Sequence, residues 1–187
     1  MRVLGPRPVG DPAELAAVVA ECLPHLEDGL TLLDRAANAG EITVDVAAVD
    51  ARGRLVLIVC DIVGGPETVL RAVESVAWWR EHAGLAARVI PGAGIDGAAE
   101  PRAFVVASRF TDRALRLIRA LGPVAPAAVE CRVFEDAGHD AAVSLDRVDA
   151  VPVRAPSPPA TSGDDDARRA GVLIERLERL RFSEGFR

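Results

Sequence analysis

The sequence contains no lysine, glutamine or tyrosine, and aromatic residues make up only 4% of its 187 positions. All 22 basic residues are therefore arginine, and 28 acidic residues leave a formal net charge of −6. An acidic chain has no overall field that attracts polyanions, so this composition disfavours a histone-like or coating role on nucleic acid. Binding to nucleic acid needs a local basic patch in such a chain.

Long hydrophobic runs are also missing. Half of the residues are hydrophobic, which is enough for a core, yet no apolar run approaches the roughly 20 residues that cross a bilayer. The opening MRVLGPRPVGDPAEL contains no continuous apolar segment of the kind found in secretory signals. We therefore expect a cytoplasmic protein without a membrane span.

Cysteine is scarce. The three cysteines, Cys22, Cys60 and Cys131, are odd in number, widely spaced and never in a CxxC pattern. This arrangement supports neither a disulfide framework nor a zinc site. We expect reduced and mostly buried thiols.

The first half of the chain predicts a helix followed by a meander. Asp11 is a candidate N-cap for a helix that runs to Glu27, with an end or a kink at Pro24. Three extended segments follow, at residues 29–34, 42–50 and 54–63. A glycine-containing turn, Asp50–Gly53, joins the second to the third, which is the pattern of a hairpin. The third segment includes LVLIVCDIV, whose nearly continuous apolar run is typical of a central strand covered on both faces.

The second half alternates helices and strands. A helix is predicted from Pro66 to about His82, and Thr111 caps a second helix. A strand at 103–107 lies between these two helices, the second helix covers 112–121, and a strand at 127–134 follows it. This order predicts an α/β domain with a mixed sheet over residues 1–150.

A different composition begins after this domain. Residues 151–163 contain four prolines together with serine, threonine and glycine, so we expect a linker over 151–166. The last segment, 167–187, predicts a helix with an apolar stripe that includes Leu173, Leu177 and Leu180. Such a stripe packs either on its own domain or on a partner, and the two alternatives stay open.

One long stretch carries a family pattern. It runs LEDGLTLLDRAANAGEITVDVAAVDARGRLVLIVCDI and continues, after a helix, into PRAFVVASRFTDRALRLIRALG. Over about residues 26–135 it resembles the PD-(D/E)xK nuclease superfamily, in its archaeal and bacterial mismatch-nuclease and RecB-like branch. The resemblance implies a restriction-endonuclease-like fold in which a mixed sheet is flanked by helices. It also implies that Asp45 stands at the first acidic position of a DNA-cleaving, Mg²⁺-dependent site.

The rest of that active-site pattern is replaced. Aligned on the hairpin, the second acidic position is Val59 and the lysine position is Asp61. Valine offers no oxygen to a metal, and aspartate reverses the charge that lysine brings to the phosphate. The next helix has Arg71 and Ser75 where many relatives have glutamine and tyrosine. The main hypothesis is therefore a catalytically inactive nuclease-fold domain without a cofactor, which binds a protein partner or a second copy of itself.

An alternative retains catalysis. Asp45 and Asp61 share a Mg²⁺ ion in this interpretation, with Glu74 or Glu41 as a third oxygen donor, and the protein is a DNA endonuclease. The structural interpretation of Asp61 is that it caps the amides of the Gly64-Gly65 turn or pairs with Arg71, and we favour it.

Two weaker patterns remain. The run from Gly92 to Gly97 satisfies GxGxxG, but Pro91 precedes it and another strand follows it, so a connecting loop is favoured over a dinucleotide site. Arg109, Arg113 and Arg116 form a candidate nucleic-acid patch, for which the competing explanation is a solvated helix face.

Overall fold

One mixed sheet lies at the centre of the computed structural model, which describes residues 4–39, 42–82, 84–85, 88, 92–136, 138 and 140–148. Within these residues the sheet has seven strands: β1 (Gly5–Arg7), β2 (Thr31–Ala39), β3 (Ile42–Val49), β4 (Leu55–Gly64), β5 (Arg102–Phe110), β6 (Ala127–Glu135) and β7 (Ala141–Arg147). The described elements also include the helices α1 (Pro12–Glu21), α2 (Leu23–Leu26), α3 (Pro66–Glu81) and α4 (Asp112–Leu121), and a short 3-10 helix at Gly122–Val124.

The strand order is β1-β6-β5-β4-β3-β2, and β7 pairs with the other edge of β6. Strands β2, β3 and β4 form the predicted antiparallel meander. Strands β4, β5 and β6 run parallel, because α3 and α4 provide the crossovers that a parallel pair requires. The fold class expected from the sequence is confirmed: a mixed sheet flanked by helices, consistent with a restriction-endonuclease-like fold.

Strand β4 is covered on both faces, as its apolar run predicts. Side chains that alternate along it enter two separate core clusters, because successive residues of a strand point to opposite faces. Val56, Ile58 and Cys60 pack with α1 and α2 on one face. Leu57 and Val59 pack with α3 on the other, and both are fully buried.

The first predicted helix is divided in two. Asp11 caps α1 as expected and accepts a hydrogen bond from the Glu14 amide at 2.8 Å. The helix ends at Glu21 and α2 runs from Leu23 to Leu26, so the interruption expected at Pro24 lies two residues earlier, at Cys22. Pro24 has no N–H for an uninterrupted helix, and it lies in the first turn of α2, where no such donor is needed.

Two strands were not predicted, and a third is longer than expected. Strand β1 has only three residues and pairs with the far end of β6, from Gly5 opposite Glu135 to Arg7 opposite Val133. Strand β7 returns along the same β6. Both depend on pairing with β6, which a reading of local patterns does not detect. Strand β2 extends to Ala39, with a register shift between Leu32 and Asp34 and a positive φ of 58° at Ala36.

The GxGxxG segment is a loop. No helix begins between Gly92 and Gly97. The Asp96 amide instead donates to the Gly53 carbonyl at 2.8 Å, so the loop contacts the β3–β4 turn, in which Gly53 has a φ of 77°. This geometry supports a connecting segment and not a dinucleotide fingerprint.

All three cysteines are free, and Cys60 and Cys131 are buried. Burial raises the pKa of the Cys131 thiol to about 11, and the pKa of Cys60 is also raised. These thiols therefore stay protonated at neutral pH and behave as core residues.

No helix among the described residues is both long and apolar enough to cross a membrane. The predicted linker at 151–166 and the helix at 167–187, with Leu173, Leu177 and Leu180, lie outside the described residues. The described residues all belong to one compact unit.

Candidate functional site

The side chains of Asp45 and Arg71 take the place of one pair of backbone hydrogen bonds between β3 and β4. The β3–β4 ladder runs from Val49 opposite Leu55 to Val46 opposite Ile58. Bonded residues alternate along an antiparallel strand, so the next residue of β4 whose backbone faces β3 is Cys60. Its amide donates to Asp45 Oδ2 at 2.7 Å, and its carbonyl accepts from Arg71 NH2 at 2.9 Å. Two side chains thus satisfy the backbone groups of Cys60 where the ladder ends.

The same two side chains form an ion pair. Arg71 NH2 lies 3.0 Å from Asp45 Oδ2, and the side chains are 37% and 20% exposed. Arg71 comes from α3, on the side that carries Thr68 and the fully buried Ser75. Ser75 Oγ donates to the Arg71 carbonyl at 2.7 Å. The Arg71 Nε is buried and has no hydrogen-bond partner in the described part of the chain.

Burial raises the pKa of Asp45 above its ordinary value. The Cys60 amide and the Arg71 guanidinium act in the opposite direction, and the nearby Asp61 carboxylate adds to the rise. The half-buried charge of Asp45 thus costs free energy that its two donors offset only in part. Asp45 and Asp61 are close enough to interact electrostatically.

Asp61 is held by α3 in a different way from the one expected. Its Oδ2 accepts from Thr68 Oγ1 at 2.9 Å, and this hydroxyl in turn accepts from the Gly65 amide at 3.4 Å. Asp61 therefore supports the helix start through Thr68 and does not cap the turn directly. Arg71 pairs with Asp45 instead of Asp61. Thr68 lies in the first turn of α3 and contacts Asp61, whereas Arg71 lies one turn further along the helix and contacts Asp45 on β3.

The described donors do not fit a magnesium ion. Mg²⁺ takes hard oxygen ligands in a nearly ideal octahedral arrangement. The bonded Oδ2 of Asp45 already serves an amide and a guanidinium, and Val59 contributes only hydrocarbon. Glu74 is exposed on α3, and Glu41 lies outside the described residues. Among the described residues, no group of three histidine, cysteine, aspartate or glutamate side chains is placed to hold a metal ion.

The three arginines of the candidate nucleic-acid patch are all exposed. In the part of the chain that the structure describes, no carboxylate pairs with Arg109, Arg113 or Arg116. Arg109 stands beside Val63 in the β4–β5 register, two residues beyond Asp61 and toward the carboxyl ends of both strands. The patch therefore begins near Asp61, at the carboxyl ends of β4 and β5, and it continues onto α4.

A second ionic cluster was missed by the sequence analysis, which assigned Asp50 only to a turn. The Asp50 side chain is 5% exposed and accepts from the amides of Arg52 and Arg54, at 2.9 and 3.0 Å. Arg54 Nε and Arg102 NH2 also donate to it, at 2.8 and 3.1 Å. The spacing of Asp50 and Arg54 in a turn is a detectable signal, but nothing local indicates the partner that is 52 residues away.

Arg102 joins that cluster to Glu27. Both terminal nitrogens of Arg102 donate to the Glu27 carboxylate, and Arg147 donates to the same carboxylate at 2.9 Å. Both guanidinium groups also lie over the buried Phe104 ring, 5.4 and 5.5 Å from its centroid. The hydrogen bond from Arg102 is the main reason that the pKa of Glu27 is lowered. This cluster ties α2, the hairpin turn, β5 and β7 together, and we assign it to stability.

No protein-family model and no curated protein matches this sequence. Three solved structures are similar to parts of it. EndoMS bound to double-stranded DNA is 24% identical over 59% of this chain and 41% of its own, with a TM-score of 0.45. A repair endonuclease from Pyrococcus abyssi is 20% identical over 63% and 46%, with a TM-score of 0.46. EndoMS without DNA is 20% identical over 61% and 44%, with a TM-score of 0.34. The chain spans less than half the length of these proteins.

Proposed function

We propose that this chain is a catalytically inactive nuclease-fold domain that acts as a protein-binding or scaffolding module. The observation that carries the proposal is the double occupation of Asp45 Oδ2 by the Cys60 amide and by Arg71. Metal-dependent phosphodiester cleavage needs carboxylate oxygens that are free to bind the ion. Here a guanidinium already neutralises the carboxylate.

Two residue types support the same conclusion. Val59 occupies the position of the second metal ligand, and Asp61 occupies the position of the lysine. No other part of the chain supplies the missing lysine, because the sequence contains none. Arginine is a poor substitute as a proton acceptor, because its guanidinium stays protonated at physiological pH.

A cleavage assay tests the loss of catalysis. The full chain is incubated with Mg²⁺ or Mn²⁺ and with single-stranded, branched and mismatched DNA, and we expect no cleavage. We also expect no shift of the thermal unfolding midpoint with Mg²⁺, because the described residues form no group of three side chains placed to hold the ion. Cleavage that disappears in Asp45→Ala, with a glutamate or aspartate variant elsewhere as control, would support the metal-dependent nuclease instead.

The protein-binding part of the proposal rests on the apolar stripe of the last segment. Leu173, Leu177 and Leu180 recur at helical spacing and are the predicted contact residues. We expect the wild-type chain to self-associate in light scattering or to retain a specific partner in a pull-down. Replacing all three leucines with aspartate should abolish that interaction. Glu178→Gln is the matched control on the polar side. A strictly monomeric chain with no partner that depends on these leucines contradicts the proposal.

A second candidate is nucleic-acid binding without cleavage, favoured by the exposure of Arg109, Arg113 and Arg116 and by their lack of described carboxylate partners. Each arginine that contacts a phosphate contributes about 0.9 to the slope of log K against log salt. The triple glutamine variant should therefore bind fluorescent DNA more weakly and reduce that slope by about 3. Arg132→Gln, at a site paired with Glu130, serves as the control. Equal anisotropy curves for the wild type and the triple variant exclude this candidate.

A further inference from the structure

Two oxygens of the sheet converge on one nitrogen of α3. Arg71 NH2 donates to Asp45 Oδ2 on β3 at 3.0 Å and to the Cys60 carbonyl on β4 at 2.9 Å. The Cys60 amide, which donates to the same Oδ2 at 2.7 Å, holds the carboxylate in place. Carboxylate and backbone carbonyl oxygens are ligands that hard cations take. The end of the β3–β4 ladder therefore forms a position for a cation, and the Arg71 side chain fills it from α3.

The site uses Arg71 as a point charge. In the described part of the chain, both hydrogen bonds of this guanidinium come from NH2, and its Nε is buried without a partner. An arginine that recognises a carboxylate through its planar fork donates from two nitrogens at once. The two oxygens here engage only the end of the side chain. The charge at NH2, and not the shape of the fork, is therefore what this position requires.

A second carboxylate lies near this position and has no cation of its own. Asp61 is close enough to Asp45 to raise the pKa of that carboxyl. Asp61 Oδ2 accepts from Thr68 Oγ1 at 2.9 Å, and its Oδ1 has no partner among the described residues. Two carboxylates and one guanidinium leave one negative charge at the site. A divalent cation balances both carboxylates, whereas the single guanidinium leaves one of them uncompensated.

We propose that Arg71 is the resident cation of this site, in the place of a divalent ion, and that removing its guanidinium opens a divalent-cation site. Asp45, the Cys60 carbonyl and Asp61 provide the oxygens of that site, and water completes the coordination. The inference rests on the proposed loss of catalysis. The wild type is indifferent to metal, because a tethered guanidinium neither leaves the protein nor loses its proton at neutral pH. Cleavage does not return with the ion, because the chain has no lysine.

Thermal unfolding of the full chain with Mn²⁺ tests the inference, since Mn²⁺ is suited to carboxylate, carbonyl and water ligands. In Arg71→Ala, an ion concentration roughly ten times the dissociation constant should raise the unfolding midpoint by about 3–6 °C. The wild-type midpoint should not move. Electron paramagnetic resonance of free Mn²⁺ measures binding directly, and it should show a single bound ion for the variant and none for the wild type.

Further variants separate ion binding from a general effect of salt. Asp45→Asn added to Arg71→Ala removes a ligand carboxylate and should abolish the response to Mn²⁺. Arg71→Lys keeps a positive charge and should remain as indifferent to Mn²⁺ as the wild type. Arg116→Ala removes an exposed arginine of α4 and should also respond as the wild type does.

Arg71→Gln provides a second test if Arg71→Ala does not fold. Its amide ends two atoms short of the NH2 position, so this variant should gain the same response to Mn²⁺. No response in either neutral variant, an equal response in the Asp45→Asn double variant, or Mn²⁺ binding by the wild type overturns the inference. The proposed function fails separately, through DNA cleavage by the wild type. A wild type that does not cleave, together with Arg71 variants that ignore Mn²⁺, contradicts only the inference drawn here.

Discussion

Replacing Asp50 with alanine is expected to lower the free energy of unfolding by about 3–5 kcal/mol, the cost typical of removing one partner from a buried ion pair. Four donors from Arg52, Arg54 and Arg102 lose their acceptor in this variant. The Arg102 guanidinium then keeps only the Glu27 carboxylate as an acceptor. Urea unfolding followed by circular dichroism at pH 7 measures the loss. Asp34→Ala, at an exposed position with a single local hydrogen bond, should change stability by about 0.5 kcal/mol or less.

The pH dependence of stability offers a second test of the same cluster. Burial raises the pKa of Asp50, but the amides of Arg54 and Arg52 and the Arg54 side chain outweigh it, so the pKa is lowered overall. A lowered pKa in the folded state stabilises the protein fully above the ordinary carboxyl pKa near 4, and this stabilisation is lost as the pH falls through the folded value. The wild type should therefore lose more stability below about pH 4 than Asp50→Ala. Parallel curves for the two proteins contradict this assignment.

Replacing Arg71 with alanine is expected to lower the free energy of unfolding by about 2–3 kcal/mol, because it leaves the Cys60 carbonyl and the Asp45 carboxylate without their shared donor. The loss is smaller than for Asp50 because Arg71 is 37% exposed and water reaches the site. Asp45→Asn keeps an acceptor for the Cys60 amide. In a double-mutant cycle with Arg71→Ala it should show a coupling energy of about 1–2 kcal/mol.

Titration distinguishes this ion pair from simple packing. The pKa of Asp45 is already raised by burial, and loss of Arg71 should raise it further. A raised carboxyl pKa in the folded state reduces stability as the pH rises from the ordinary carboxyl range through the folded value. The defect of Arg71→Ala should therefore be larger at pH 7 than at about pH 4. An equal defect at both values, or a similar loss in Arg116→Ala, contradicts an electrostatic role.

Elements with strong local signals were predicted closely. Helix α3 was expected from Pro66 to His82 and runs from Pro66 to Glu81, since a glycine pair and a proline mark its start. Helix α4 begins after the Thr111 cap as expected, with the Thr111 hydroxyl accepting from the Ala114 amide at 3.2 Å. Strand β1 shows the opposite case. Its three residues have no strand pattern of their own, and they are extended only because the end of β6 is available beside them.

In the candidate site, too, local features could be predicted from the sequence and long-range contacts could not. The sequence showed the types of residue at its positions: a carboxylate at Asp45, a hydrocarbon at Val59 and a second carboxylate at Asp61. It did not show their partners. Arg71 was expected near Asp61, but the position of α3 across the sheet carries it to Asp45, 26 residues away in the chain.

By itself, the sequence determined the fold class, the hairpin, the covered central strand and the residue types at positions 45, 59 and 61. These follow from apolar periodicity, turn residues and side-chain chemistry, all of which act over a few neighbouring residues. Only the tertiary structure decided that Arg71 neutralises Asp45 and that Asp50 accepts from Arg102 of β5 in addition to the residues of its own turn. Those contacts depend on how helices cross strands that are distant in the chain, and the free energy of a charge depends on which partners and how much water surround it.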